Sequence, residues 1–229
     1  MVGTLNLLQI MHEFNVKKFV FSSTANVYGN NQSPLKENTI LNATSPYGNT
    51  KSMIKDIAKA DNEWSIISLR YFNPIGYHHS TLIGENINNL STNIMPTILR
   101  VANNELPLLK IYGGDYNTKD GTPVRDFIHV MDLACGHQLS LKYIESFNGF
   151  IEINLGSGNG ITVKELVDTF SAVNSIDVPY EIVGRRVGDI AESYADTGRA
   201  KKLLNWDTKY SLKDMCVDSW RWYKQNSKN

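Results

Sequence analysis

Apolar and polar positions follow two different periods along the first third of the chain. Apolar residues recur with helical spacing over residues 3–14, whereas residues 19–21 form a short apolar run that predicts a buried strand. A polar loop over about 30–46 then leads into a helical pattern over about 46–61, and residues 66–71 predict a second buried strand. Helix, strand, helix and strand in this order indicate part of a parallel, doubly wound sheet.

The pattern becomes less regular after Pro74, where shorter elements indicate a smaller α+β unit packed beside the sheet. A turn is predicted at Asp120–Gly121, and Asp132 is placed to cap a helix. The predicted elements are, in chain order, an Asn-rich loop over 86–93, a helix near 95–104, strands at 110–112 and 127–130, a helix over 133–145, a strand at 151–155, a helix opening at Thr162 and a closing helix through Trp220 and Trp222. The expected fold class is therefore α/β.

The chain has no net charge that would attract a polyanionic partner. Its 229 residues contain 23 Lys and Arg and 23 Asp and Glu, so neither nucleic acid nor a membrane surface is expected to bind it. The sequence has no apolar run of membrane-spanning length and no signal-like leader, which predicts a cytoplasmic protein. Cys135 and Cys216 lie far apart without a CxxC pair, so neither a disulfide framework nor a metal site is expected.

One glycine-rich cluster, Gly156–Gly160, lies between a predicted strand and a predicted helix. Its spacing is G-x-G-x-G and differs from the G-x-G-x-x-G of dinucleotide-binding turns. We interpret it as a tight strand-to-helix turn, followed by a capping box of Thr162 and Glu165. Because a dinucleotide-binding sheet begins with a strand and a glycine-rich turn, and the first predicted element here is a helix, we expect that phosphate-binding turn to be missing.

Tyr47 and Lys51 are four residues apart in a predicted helix, so their side chains share one face. A phenol, with an ordinary pKa of about 10, is a weak base at neutral pH. A nearby lysine ammonium favours the phenolate, which can then accept a proton from a substrate hydroxyl. The alternative interpretation is a solvated surface pair, because Y-x-x-x-K recurs by chance in many helices.

Further tracts place this pair in a larger pattern. Two of the tracts end predicted strands, where open α/β sheets bind their ligands. The three tracts are Phe21–Gly29 (FSSTANVYG), Ser45–Lys51 (SPYGNTK) and Leu69–Gly76 (LRYFNPIG). This combination resembles the extended short-chain dehydrogenase/reductase family, the group that modifies nucleotide sugars.

The resemblance then narrows to the UDP-glucose 4-epimerase family. It runs from Val2 to near Trp222, and the tracts that carry it are Gly113–Asp132, Asn154–Gly158 and Arg185–Asp189. Sister enzymes, the nucleotide-sugar 4,6-dehydratases, carry an Asp-Glu pair where this chain has Thr24-Ala25. The resemblance therefore implies oxidation and re-reduction at C4 of the sugar, without elimination of water.

The resemblance implies a truncated Rossmann-like doubly wound sheet as the remainder of an NAD-binding domain over residues 1–76. A smaller α+β region that binds the UDP-sugar would occupy residues 77–229, with some return to the sheet. NAD is the implied cofactor. The implied catalytic residues are Tyr47, which removes the O4 proton, Lys51, which bonds the nicotinamide ribose, and Thr24, which holds O4; Tyr47, Lys51 and Phe72 would contact the cofactor.

The UDP half of the substrate maps onto later residues of the resemblance. Asn73 and Asn93 would bond phosphate or sugar, Arg125 and Arg186 would clamp the diphosphate, Asp189 would accept from the uridine ribose, Tyr112 would stack near the uracil, and Thr24 and Ser193 would face the sugar. Two alternatives are structural: Arg125 as an ordinary hairpin ion pair with Asp126, and Asp189 as a turn residue.

Ser193 bears on substrate choice. In the family its position faces the C2 substituent of the sugar, where a tyrosine excludes N-acetylated sugars. A serine leaves room there, which implies tolerance of UDP-GlcNAc and UDP-GalNAc beside UDP-glucose and UDP-galactose.

Relatives carry a further segment before the position of Val2, with the first strands and the phosphate-binding turn. The chain is thus expected to be an active epimerase completed by a separate amino-terminal polypeptide, a catalytically incompetent remnant that at most binds UDP-sugars, or a truncated product that hardly folds. Family members pair through a bundle that includes the Tyr47 helix, so a homodimer is a further expectation.

Overall fold

The computed structural model describes residues 2–59, 63–85 and 93–227. The helices in these ranges are α1 (Val2–Glu13), α2 (Pro46–Lys59), α3 (Ile94–Ala102), α4 (Val130–Tyr143), α5 (Val163–Asn174), α6 (Gly198–Leu204) and α7 (Leu212–Asn226). The strands are β1 (Lys18–Thr24), β2 (Ser65–Tyr71), β3 (Asn73–Ile75), β4 (Leu109–Tyr112), β5 (Val124–Arg125), β6 (Phe127–His129), β7 (Gly149–Leu155), β8 (Ile161–Thr162), β9 (Tyr180–Val183) and β10 (Glu192–Ser193). None of these helices is long and apolar enough to cross a lipid bilayer.

The main sheet is parallel throughout, with the strand order β1–β2–β7. Strand β2 is buried along almost its whole length because it carries apolar residues on both faces. Ile66 packs in a cluster with Leu8 of α1, whereas Ile67 packs in a separate cluster with Leu204 of α6. Successive side chains of a strand point to opposite faces, so the sheet is covered by helices on both sides.

A third, larger apolar cluster forms where α3, α5 and α7 meet. Phe170 of α5 contacts Trp220 of α7 edge to face, with ring centres 6.1 Å apart. Three small sheets flank this cluster, in the orders β10–β5–β8, β3–β6 and β4–β9. Strand β3 follows β2 almost directly and pairs in parallel with β6. The end of the main sheet is thereby joined to the second part of the chain.

A buried polar network anchors the loop that the sequence predicts over 30–46. Arg70 of β2 donates to the Tyr28 hydroxyl at 2.8 Å and to the Glu37 carbonyl at 3.1 Å. The Glu37 carboxylate accepts the Asn154 N–H at 2.9 Å, and burial raises the pKa of Tyr28 to about 12. The loop is therefore fixed to the sheet, although its composition suggests only a solvated connection.

Asp132 does not cap α4, contrary to the prediction. The N-cap residue is His129, whose Nδ1 accepts the Met131 N–H at 3.0 Å, and the helix begins earlier than the pattern predicts. Asp132 lies buried in the first turn, where its carboxylate accepts the N–H groups of Lys209 at 3.0 Å and Tyr210 at 3.2 Å. Its side chain thus serves a tertiary contact, which the local pattern does not reveal.

The other predicted helices and strands are confirmed to within a few residues at their ends. Helix α6 and strands β3, β5, β8, β9 and β10 have no counterpart among the predictions. The end of the second predicted helix at Asp61 and the predicted Asn-rich loop over 86–93, apart from Asn93, lie outside the described residues.

We expect Thr162→Ala to lower the free energy of unfolding by about 1 kcal/mol, the usual contribution of an N-cap. The Thr162 hydroxyl accepts the Glu165 N–H at 3.0 Å and donates to Asp120 Oδ2 at 2.5 Å, and both contacts are lost. Denaturant unfolding measures the change. Thr162→Ser keeps the hydroxyl and is the matched control, and equal stability of the alanine and serine variants would contradict the prediction.

Candidate active site

A cavity of about 910 Å³ opens at the carboxyl end of the main sheet, where open α/β folds bind ligands. It is lined from both parts of the chain, by residues that follow β1 and β2 and by residues around β5 and β10. Seven of the candidate site residues line it: Thr24, Phe72, Asn73, Asn93, Arg125, Asp189 and Ser193.

Helix α2 is held close to the end of β1. Its N-cap is Ser45, whose Oγ accepts the Gly48 N–H at 3.1 Å. A Cβ on Gly48 would lie 2.8 Å from the carbonyl oxygen of Asn26, so only glycine permits this approach. Thr24 is buried beside the cavity, and its Oγ1 accepts the Asn26 N–H at 3.2 Å. Its O–H can therefore donate to a ligand in the cavity.

Tyr47 and Lys51 lie together on α2, beside the residues that line the cavity. Nζ of Lys51 lies 5.6 Å from the centre of the Tyr47 ring and 4.8 Å from that of Phe21. It donates to the carbonyl oxygen of Ser22 at 2.8 Å, which holds the ammonium at the end of β1. Partial burial lowers the pKa of Lys51. The Tyr47 side chain is 51% exposed, so a ligand can reach its hydroxyl.

Tyr71 and Phe72 line the cavity at the end of β2. Phe72 is almost fully buried and presents an apolar ring. The Tyr71 hydroxyl contacts Ser22 Oγ at 2.7 Å and Nε2 of His137, and burial raises the pKa of Tyr71. The sequence assigns Tyr71 no role, and its only signal there is its place at the end of a predicted strand. The contact with His137 of α4 could not be read from the chain.

Arg125 is fixed by the segment that carries Asp189. Its Nη2 lies 2.9 Å from Asp189 Oδ1, and its Nη1 donates to the carbonyl oxygens of Val124 at 2.8 Å and Ile190 at 2.9 Å. The alternative of a hairpin ion pair with Asp126 is wrong, because Arg125 pairs with Asp189. A guanidinium has five N–H donors, and these contacts use three of them. The others remain for an anionic ligand.

Tyr112 and Arg186 lie together at the end of β4, outside the set of residues that line the cavity. Cζ of Arg186 lies 4.5 Å from the centre of the Tyr112 ring. The neighbouring Arg185 instead pairs with Asp115 Oδ1 at 2.7 Å and lies over the Tyr116 ring. Both arginines therefore lie over tyrosine rings, and Arg185 in addition pairs with an exposed carboxylate.

The glycine-rich turn encloses a carboxylate of the protein itself. Asp126 is fully buried, and its Oδ1 accepts the N–H and O–H of Ser157 at 2.6 and 2.7 Å. Its Oδ2 accepts the N–H groups of Gly158 and Ala195, both at 3.0 Å. A Cβ on Gly156 would lie 2.4 Å from Oδ2, so the turn requires glycine there. Sequence reasoning missed this contact of Asp126, because no local pattern links the residue to a turn so much later in the chain.

Three of the histidines lie outside the candidate site residues and contact other side chains of the protein. His129 is buried and stacks on Tyr210 with ring centres 4.2 Å apart, its Nε2 lies 3.3 Å from Asp218 Oδ2, and burial lowers its pKa. The rings of His78 and His79 lie 4.2 Å apart in a loop. Within the described residues, no group of three His, Cys, Asp or Glu side chains is arranged to hold a metal ion.

Comparison with known families defines the class of protein first. A family model described as GDP-mannose 4,6 dehydratase matches residues 1–219. The match covers almost the whole chain, including the three tracts that resemble the extended short-chain dehydrogenase/reductase family.

Individual relatives define the group more closely. The UDP-glucose 4-epimerase of Bacillus subtilis (strain 168) is 48% identical over 231 residues, which cover 99% of this chain and 68% of the relative. The crystal structure of UDP-glucose-4-epimerase from Stenotrophomonas maltophila, with bound NAD and formylated UDP-arabinopyranose, has a TM-score of 0.95 at 42% identity, covering 99% of this chain and 69% of that one. The UDP-Glc/GlcNAc 4-epimerase from Campylobacter jejuni has a TM-score of 0.80 at 34% identity, with coverages of 98% and 69%.

The chain therefore belongs to the UDP-glucose 4-epimerase family, whose members are NAD-dependent isomerases. Thr24-Ala25 agrees with this grouping, because a dehydratase would need an acid and a base at those two positions.

Proposed function

We propose that this chain supplies the UDP-sugar site and the proton-transferring residues of an enzyme that interconverts UDP-glucose and UDP-galactose at C4 of the sugar. The observation that carries the proposal is one cavity that brings Thr24, at the end of β1, together with Arg125 and Asp189 from the second part of the chain. A ligand along this cavity would have its sugar near Thr24 and its diphosphate near Arg125. The volume of about 910 Å³ suits a ligand of that size.

Tyr47 is the proton acceptor of this mechanism. As a phenolate it takes the proton of the sugar 4-hydroxyl, and it returns the proton when C4 is reduced again. The Lys51 ammonium beside the ring favours the phenolate. Thr24 donates a hydrogen bond to O4 and so orients the hydroxyl. Tyr47 gives back the proton that it takes, so the reaction has no net uptake or release of protons.

The N–H groups of Lys51, at the end of β1, suit the nicotinamide end of NAD. Nζ of Lys51 uses one N–H for Ser22 and keeps two for ribose hydroxyls. The Phe72 ring beside them suits a flat heterocycle. A bound NAD would supply the hydride acceptor for the oxidation at C4 and, once reduced, the hydride donor for the re-reduction. Of the described residues we assign Tyr47, Lys51 and Phe72 to NAD and exclude the glycine-rich turn, because that turn is already filled by Asp126.

The pyrophosphate end of NAD, we propose, is held by a further segment supplied by a separate amino-terminal polypeptide. Within the described residues β1 pairs with β2 alone, so its second edge presents backbone N–H and C=O groups to another strand.

The alternative is a catalytically incompetent remnant that at most binds UDP-sugars. It is favoured by the cavity itself, which is lined by UDP-side residues while Tyr47 lies half exposed beside it.

Thermal unfolding of the purified chain tests the proposal, alone, with UDP-galactose, and with UDP-galactose and NAD. A ligand at a hundred times its Kd stabilises the folded state by about 2.7 kcal/mol, which in a chain of this size raises Tm by roughly 5 °C or more. A rise with UDP-galactose supports the UDP-sugar site, and a further rise with NAD supports a nicotinamide site in this chain. A midpoint that neither ligand moves contradicts the proposal.

Ser193 is expected to admit acetylated sugars. Its side chain is 8% exposed and lines the cavity, so Ser193→Tyr would fill space beside the sugar. We expect the unchanged chain to bind UDP-GlcNAc, and Ser193→Tyr to bind it about tenfold more weakly or worse while still binding UDP-glucose, since overpacking costs about 1–3 kcal/mol. Calorimetric titration measures both. Equal affinity of the two forms for UDP-GlcNAc would contradict the prediction.

We also propose that the chain forms a homodimer through α1 and α2, the helix that carries Tyr47. Leu5, Leu7 and Ile10 of α1 are each more than 40% exposed, and Phe14 just after the helix is 75% exposed. Such apolar surface favours association. Light scattering should give the mass of two chains, and the mass of one chain at micromolar concentration would count against the dimer.

A further inference from the structure

We propose that Asp126 is a positioning residue for the UDP end of the substrate site, and that the glycine-rich turn exists to hold its carboxylate. This inference rests on the proposed function, because it assigns Asp126 a part in UDP-sugar binding. Asp126 itself does not line the cavity. It acts through the segments that do.

Two consecutive residues hold the segment 189–195 at its two ends. Arg125 binds its beginning, with Nη2 2.9 Å from Asp189 Oδ1. Asp126 binds its end, since Oδ2 accepts the Ala195 N–H at 3.0 Å. Between these contacts Ser193 is the bridge partner of Arg125 in the parallel pair β10–β5. Asp189 and Ser193 both line the cavity, so their positions depend on both ends being held.

Asp126 also reaches the opposite wall of the cavity through its backbone. Its carbonyl oxygen accepts the N–H of Asn73 at 2.9 Å, and Asn73 lines the cavity at the start of β3. One residue thus ties β3 to the segment that carries Ser193. A shift of Asp126 would change the distance between these two walls, and with it the fit of the ligand.

The four donors around the carboxylate require an acceptor at each oxygen. Ser157 supplies two of them and Gly158 and Ala195 one each, at 2.6–3.0 Å. Successive N–H groups in such a turn form an anion-binding concavity, and the anion here is internal. An asparagine has nearly the same shape but carries an NH₂ group. In Asp126→Asn, the NH₂ group therefore replaces one of the two carboxylate oxygens. It then faces a group that is also a hydrogen-bond donor, so the hydrogen bonds at that position are lost.

The experiment is calorimetric titration of the full chain with UDP. We expect Asp126→Asn to bind UDP at least about tenfold more weakly than the unchanged chain. Asp132→Asn is the matched control, because Asp132 is also a buried carboxylate that accepts two backbone N–H groups, those of Lys209 and Tyr210, and none of these three residues lines the cavity. It should lower Tm as Asp126→Asn does and leave UDP affinity unchanged. Ser157→Ala removes one donor and should weaken UDP binding severalfold in a chain that still folds.

The outcomes separate this inference from the function on which it rests. If the unchanged chain does not bind UDP, the proposed function fails and the inference fails with it. If the unchanged chain binds UDP and a folded Asp126→Asn binds it equally well, only the inference is overturned. An equal loss of affinity in Asp126→Asn and Asp132→Asn also overturns it, because the loss would then follow stability alone. Should Asp126→Asn not fold, an unaltered UDP affinity of Ser157→Ala overturns it.

Discussion

Tyr47→Phe is expected to lower kcat for the conversion of UDP-galactose by about 10²–10⁴-fold, the range contributed by a general acid–base group. The variant keeps the ring and its contact with Lys51 but has no hydroxyl to accept the O4 proton. UDP affinity should not change, because Arg125, which is proposed to hold the diphosphate, lines the cavity, whereas Tyr47 lies beside it. The assay contains NAD and the part of the Bacillus subtilis relative that this chain does not match.

Two further variants make this prediction specific. Tyr180→Phe changes a tyrosine of β9 that does not line the cavity, and it should leave kcat unchanged. Lys51→Met should also lower kcat, because the phenolate loses the ammonium that favours it. A Tyr47→Phe enzyme that retains more than a tenth of the activity would exclude Tyr47 as the proton acceptor.

Arg125→Gln is expected to weaken UDP binding by about a hundredfold or more. Hydrogen bonds between a guanidinium and a diphosphate contribute about 1.5–3 kcal/mol each, and two of them correspond to this loss. The substitution also removes the partner of Asp189, which would leave a carboxylate unpaired at the same site and repel the diphosphate. Titration with UDP measures the effect, and the loss should shrink as salt concentration rises.

Two further variants, Arg185→Gln and Arg125→Lys, are the controls for Arg125→Gln. Arg185→Gln removes the same charge from an exposed arginine that pairs with Asp115, and we expect a change in UDP affinity of less than about threefold, as for other exposed ion pairs. Arg125→Lys keeps the charge but loses the planar fork, so its affinity should lie between those of the unchanged chain and Arg125→Gln. Similar affinities of Arg125→Gln and Arg185→Gln would contradict a diphosphate site at Arg125.

The long elements could be predicted because their patterns are local. The largely buried strand β2 appears as a short run rich in apolar residues, and the N-cap Thr162 appears as a T-x-x-E signature with its donor at Glu165. Strands of two or three residues, such as β5 and β10, carry no such period. They form because distant segments meet, as when Ser193 comes to lie beside Arg125.

The candidate site was predictable only to the level of residue type and motif. Thr24, Asn73 and Arg125 were found through tracts that follow predicted strands, and the structure brings all three to one cavity. The interactions that hold the cavity together were not predictable. The carboxylate of Asp126 bonds a turn and a strand far along the chain, and Arg70 buries a loop that looks solvated. Local composition does not predict contacts between residues that are far apart in the chain.

The central claim is that this chain contributes the catalytic half of a UDP-hexose 4-epimerase, and conversion of UDP-galactose to UDP-glucose tests it most directly. The purified chain is incubated with UDP-galactose and NAD, with and without the unmatched part of the Bacillus subtilis relative, and the two sugar nucleotides are separated by chromatography. We predict conversion in the complemented mixture and its loss when Tyr47→Phe replaces the unchanged chain. The claim is contradicted if no UDP-glucose forms in a complemented mixture whose chain binds both UDP-galactose and NAD.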